Sequence, residues 1–171
     1  MSEFLIESEL EDTRWNVTIP QINDVINNVK TAVEQYLFTQ KDKILLQTSK
    51  PLLINVCLSN DEHVHELNKL FRNIDKSTNV LSFANIDFAD FSIVNNPYDE
   101  IELGDIIIAY ETTLSEAQEL QISVQVHFCH LLVHGILHLC GYDHIDTKDA
   151  EIMENMEIEI LQSLDIANPY A

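Results

Sequence analysis

The sequence predicts an α/β (α+β) fold over residues 1–171: one domain with a mixed sheet of about four strands, about five helices, and a metal-binding helix laid on one face of the sheet. Three observations predict it. Short apolar runs alternate with longer stretches of helical period. No repeat or Pro/Gly-rich linker divides a chain that has only four prolines and three glycines. Hydrophobic residues make up 46% of 171 positions, enough to bury a core without staples.

Phe4 to Leu10 alternates weakly and reads as an edge strand. From about Pro20 to Gln40, Ile22, Val25, Ile26, Val29, Val33 and Leu37 form a helical stripe. Leu52 to Leu58, with Ile54, Val56 and Cys57, is a buried strand. Ser59 or Asn60 then caps a helix reaching about Ile74, with Val64, Leu67, Leu70, Phe71 and Ile74 facing inward. Another face of that helix carries Lys69, Arg72 and Lys76, the one clustered basic stripe in the chain. Val80–Phe83 and Asp105–Tyr110 are two further strands. The irregular segment between them, bearing Asp87, Asp90, Asp99, Glu100 and Glu102, reads as a loop with the length of a lid. Thr112 or Thr113 starts a helix containing Leu114, Ala117 and Leu120, and a second runs from about Val124 to Cys140. The last, Thr147 to Leu164, has Ile152, Met156, Ile160 and Leu164 at four-residue steps.

Charge excludes one class of behaviour. The net charge is -20, with seventeen acidic residues and one basic from Ser77 onward, against twelve acidic and eight basic before it. A surface of this kind repels bare polyanion, so nonspecific nucleic-acid binding is not expected. No run approaches the roughly 18 apolar residues of a membrane span, and the start Met-Ser-Glu-Phe-Leu-Ile-Glu lacks the basic and apolar regions of a signal peptide. A cytoplasmic protein with no membrane partner is expected. Cys57, Cys129 and Cys140, odd in number and set in apolar runs, read as reduced core residues.

The chemistry concentrates in His134-Gly-Ile-Leu-His138-Leu-Cys-Gly141-Tyr-Asp143-His144. Residues four apart on a helix lie one above the other, so His134 and His138 can share one cation. Gly141 can adopt the left-handed conformation that stops the helix, and this turns His144 back toward the same point. Three neutral imidazoles with a fourth position left to water describe a catalytic zinc site, whereas structural sites are closed by four protein ligands. Water held in such a position ionises near neutral pH, which suits hydrolysis. Asp143 is a candidate to orient a histidine or contact that water. Cys140 points to another helix face and is not expected to ligate. Of His127 and His130, at least one reads as a core residue, and His130, one turn before His134, is equally a candidate for facing substrate. The spacing is also that of the metzincin proteases, H-E-x-x-H-x-x-G-x-x-H, but Gly135 stands where their general-base glutamate is required.

The same segment resembles the signature of the YbeY endoribonucleases, metal-dependent ribosomal RNA maturation factors, and the resemblance covers nearly the whole chain. Leu67-Asn68-Lys69-Leu70-Phe71-Arg72 is similar to that family's leucine-asparagine-x-x-aromatic-arginine segment, and Thr78–Phe83 and Leu103–Ile106 resemble its T-D-V-L-S-F and L-G-D-I blocks. The resemblance implies one divalent ion per chain, zinc above all, held by His134, His138 and His144, with Arg72 in the active cleft as the fourth catalytic residue. It implies cleavage of single-stranded RNA in processing the 3′ end of 16S ribosomal RNA, and a part in ribosome maturation and quality control. An arginine fork grips two phosphate oxygens at once, which agrees with Arg72, and Lys69 and Lys76 are candidates to extend that grip. Ser77 and Ala84 stand where the family has prolines, and Asn79 where it has aspartate; the last is expected to change the setting of Arg72. Because the chain is so acidic, RNA is expected to arrive on ribosomal particles, through a basic ribosomal protein or assembly factor. A metzincin-like zinc peptidase and a non-catalytic zinc-containing assembly factor are the alternative readings.

Overall fold

Leu52, Ile54, Val56 and Leu58 are buried while Leu53, Asn55 and Cys57 are only half-buried, so this central strand has one dry face and one wetter face. The fold follows from that difference. In the computed structural model, which describes residues 2–171, the strands are β1 (Phe4–Leu10), β2 (Leu52–Ser59), β3 (Val80–Ala84) and β4 (Ile101–Ala109). The helices are α1 (Arg14–Thr18), α2 (Ile22–Thr39), α3 (Lys43–Leu46), α4 (Asp61–Arg72), α5 (Tyr110–Leu120), α6 (Val124–Leu139) and α7 (Thr147–Ser163), with a 3-10 turn at Asn85–Asp87.

The sheet order is β1-β2-β4-β3, with β1, β2 and β4 parallel and β3 antiparallel to β4. Both β1 and β3 are therefore edges. Helix α6 covers the dry face: Phe128, Leu132, Val133, Ile136 and Leu137 are fully buried among Ile106, Ile108 and neighbouring helices. Helix α4 sits on the other face over a smaller cluster of Val64, Leu81, Ile107 and Ala109. Gly104 sits beside a register shift in β4 at φ 144°, and a Cβ there would lie 2.0 Å from the Phe83 carbonyl oxygen, so only glycine lets β3 approach.

The sheet and its five long helices are as predicted, and α1 and α3 are short additions. Several details differ. Strand β4 begins at Ile101, so Glu102 belongs to the sheet and not to the loop. Helix α5 begins at Tyr110, ahead of Thr112 and Thr113; the Thr113 hydroxyl donates back to the Ala109 carbonyl at 2.6 Å, one turn earlier. Helix α4 stops at Arg72 because Asn73 takes the left-handed conformation (φ 60°), and Leu70, Phe71 and Ile74 are exposed. Of the predicted inward residues Val64 is buried and Leu67 packs beside it, and the other buried position is Asn68, whose side-chain amide donates to the Lys76 carbonyl at 2.9 Å. In α7 the buried residues are Met153, Met156, Glu157, Ile160 and Leu161, while Ile152 is exposed. Steps of four overshoot a 3.6-residue turn by about 40° each, so a stripe drawn at such steps drifts off the buried face.

Candidate metal centre and its cleft

Ser123 caps α6 by accepting from the Val126 amide, and the apolar sequence that follows seats the helix in the core. Its C-terminus is closed by Gly141 at φ 100°: the Gly141 amide donates to the His138 carbonyl at 3.0 Å and the Tyr142 amide to the Leu137 carbonyl at 3.1 Å. The chain then doubles back. Tyr142 donates its phenol to the Asp42 carboxylate and anchors the turn to the segment between α2 and α3. His144 is thereby brought over the helix end, with ring centroids 5.5 Å from His134 and 5.2 Å from His138.

One ring nitrogen from each of His134, His138 and His144 lies within 4.8 Å of the others. His134 Nε2 and His138 Nε2 face each other at 3.0 Å. Two lone pairs in that arrangement repel unless a proton or a cation sits between them. Nitrogens about 2.0–2.1 Å from a tetrahedral zinc stand only slightly farther apart than this, so the residues fit the ion with small adjustments. Burial, and then the neighbouring His134, push the His138 imidazole below its ordinary value, so it presents a neutral ligand near pH 7.

His134 is oriented by a residue the sequence did not single out. Its Nδ1 donates to Glu157 Oε1 at 2.6 Å, which leaves Nε2 free to ligate. Glu157 is completely buried on α7, and its other oxygen accepts from the Tyr170 hydroxyl at 2.6 Å. Burial alone would raise this carboxyl, but His130, His134 and Tyr170 outweigh it and hold the group at about 2. Asp143, the expected orienting group, accepts from the His144 amide at 2.7 Å, while its carboxylate is 3.7 Å from His144 Nδ1 and 4.0 Å from His138 Nδ1. A signal for Glu157 was present: it is an acid on the stripe Met153, Met156, Ile160, where burial demands a partner. Tyr170, in a short tail without periodicity, had none.

Arg72 and the three histidines line one cleft of about 550 Å³ that follows the β3 edge. The arginine arrives from α4, donating to the Ser82 carbonyl at 2.8 Å and lying 5.2 Å from the centre of the Phe83 ring. Lys69 and Lys76 are not among the cleft residues, because the helix ends before Lys76 and Lys69 turns toward Asp75 at 3.9 Å. His130 lines the cleft, whereas His127 is buried and paired with Glu116 at 2.9 Å. Asn79 does not set Arg72: its amide donates to Glu116 Oε1 at 2.9 Å, a contact in which an aspartate would oppose another carboxylate. Cys129 and Cys140 are buried free thiols, but Cys57 is only half-buried and on the opposite sheet face.

With this geometry in place, similarity to known proteins decides the family. The family described as Endoribonuclease YbeY matches residues 10–165. The chain belongs to the YbeY family. Relatives named Endoribonuclease YbeY include one from Zymomonas mobilis, 42% identical over 143 residues (83% of this chain and 81% of that one). Another, from Sphingopyxis alaskensis, is 49% identical over 129 residues, covering 74% and 76% of the two chains. The YbeY-family fold is similar to the solution structure of TM1509 from Thermotoga maritima, with a TM-score of 0.53 at 20% identity over 96% of this chain and 92% of that one. Among the described residues no single helix is long and apolar enough to cross a membrane.

Proposed function

We propose that this chain is a metal-dependent endoribonuclease that cleaves single-stranded RNA and matures the 3′ end of 16S ribosomal RNA in the cytoplasm. One observation carries the reading: three convergent imidazoles and one arginine fork share a single cleft. His134, His138 and His144 would hold the ion, with zinc favoured by an all-imidazole set. Such an ion, when bound, supplies an electrophile and lowers the pKa of water beside it. The protein's own part is positional. Glu157 keeps the His134 proton on Nδ1, the Gly141 turn brings in His144, and Arg72 offers paired N–H donors to a phosphate lying along the β3 edge. A splayed single strand suits an open cleft of this size better than a stiff duplex.

The peptidase alternative is disfavoured by a specific contact. A Cβ at Gly135 would meet the Ile106 side chain at 3.0 Å, so position 135 points into the sheet and has no room for the general base those enzymes need. The acidic surface supports delivery of RNA on ribosomal particles through a basic ribosomal protein or assembly factor. The test combines elemental analysis with cleavage of single-stranded RNA and of casein. Wild type should carry metal and cut RNA alone. His138→Ala should lose both properties, while Arg72→Ala should keep metal and fold and lose at least about a hundredfold in cleavage. Full turnover by Arg72→Ala would remove the arginine from the reaction, and a metal-bearing protein inert toward RNA would return the non-catalytic reading.

A further inference from the structure

On the far face of the sheet a second set of ligand-type side chains converges. Glu11 follows β1, Cys57 lies near the end of β2, and His63 sits in the first turn of α4. Cys57 Sγ is 2.9 Å from Glu11 Oε2, and His63 Nδ1 is 2.8 Å from Glu11 Oε1. One ligand atom from each lies within 4.8 Å of the others, the same convergence that marks the three histidines of the cleft.

The backbone holds all three in place. The Glu11 and Asp12 amides donate to the Leu58 carbonyl at 3.1 and 3.0 Å, tying the end of β1 to β2. The His63 amide is fixed by the Asn60 cap at 3.0 Å. Cys57 and His63 are half-buried and Glu11 is exposed, so two of the three side chains are confined while water still has access. Around them the groove carries Glu7, Glu9 and Asp105, which raise the local concentration of cations.

We propose that Glu11, Cys57 and His63 form a second divalent-metal site, selective for zinc-like ions and independent of the cleft. A thiolate, a carboxylate and a neutral imidazole are all ordinary zinc ligands, and the two anions cancel the charge of the ion. Without metal, the carboxylate takes hydrogen bonds from the thiol and the imidazole, and burial followed by Glu11 pushes the Cys57 thiol up. Binding replaces the thiol proton, which leaves to solvent, and moves the His63 proton from Nδ1 to Nε2. The Glu11 carboxylate, now 2.9 Å from the thiol and 2.8 Å from the imidazole, would draw back by roughly 0.6 Å to make room for the ion, and water takes the fourth position. Such an ion would pin the ends of β1 and β2 to the start of α4, the helix whose other end carries Arg72.

The two sites are distinguished by sulfur, which the cleft trio lacks. Cobalt(II) is titrated into the full chain, as wild type and as His138→Ala, and the thiolate-to-cobalt charge-transfer band in the near ultraviolet is followed. The band should saturate at one equivalent in His138→Ala and by two equivalents in wild type, where the cleft takes up the other, and it should vanish in Cys57→Ser and be displaced by zinc. Glu11→Gln, which keeps the thiol, should retain the band with affinity weakened more than about tenfold. No band in either background, a band that survives Cys57→Ser, or unchanged affinity in Glu11→Gln would overturn the site.

Discussion

Helices α6 and α4 pack on opposite faces of the same sheet and contribute to one cleft, yet they are built on opposite terms. Nearly every residue of α6 between His127 and Leu139 is buried, and the histidines occupy the only side left open. Helix α4 buries Val64 and Asn68 and leaves Leu70, Phe71 and Arg72 in solvent. The histidine side is thus held by core packing, whereas the arginine is held by a helix cap, a contact to Ser82 and the face of Phe83. On the proposed reading, precision is concentrated where a cation would be gripped, and freedom is left where an irregular RNA backbone would be met.

Truncation in the two helices tests that contrast most strongly. Phe128→Ala, at a fully buried position of α6, should cost about 3–5 kcal/mol in urea unfolding; a loss below about 1 kcal/mol would mean that the packing does not hold this helix. Next in size is Glu157→Gln. The folded protein holds this carboxyl at about 2, well below its ordinary range, so its contribution is full above about pH 5 and is lost as pH falls toward 2. In metal-free protein the substitution should lower stability at pH 7 by at most on the order of 3 kcal/mol, and the gap from wild type should close by about pH 2. Midpoints at the two pH values measure it, and a gap independent of pH would mean the ionised carboxylate is not its source. The smallest effect belongs to α4: Leu70→Ala, at a residue 75% exposed, should change stability by less than about 0.5 kcal/mol. A larger loss would show that this face is covered in solution.

Legibility in the sequence divides along the same line. The α6 segment was readable to within a residue, because an apolar run broken by His134 and His138 at a four-residue step and ended by Gly141 sets the two rings on one side and turns His144 back toward them. The parallel order of β1, β2 and β4 was not readable, since alternation along a strand says which face is dry and nothing about its neighbour. In α4 the apolar residues misled: Leu70, Phe71 and Ile74 have the right period, but Asn73 ends the helix and all three stay exposed, with only Phe71 touching the sheet through Phe83. Glu157 was missed because charge was read as a mark of solvent exposure, although an acid amid Met153, Met156 and Ile160 lies on the wrong side of α7 for that.

All three imidazoles of the cleft come from one short stretch, residues 134–144, bent back on itself at Gly141. Closing so small a loop costs little chain entropy, far less than gathering ligands from distant strands. What remains is to hold the rings in register, and that falls to the packing of α6, to Glu157 and to the Tyr142 contact with Asp42. A divalent ion taken up by this stretch would therefore report on whether α6, α7 and the start of α3 are assembled around it.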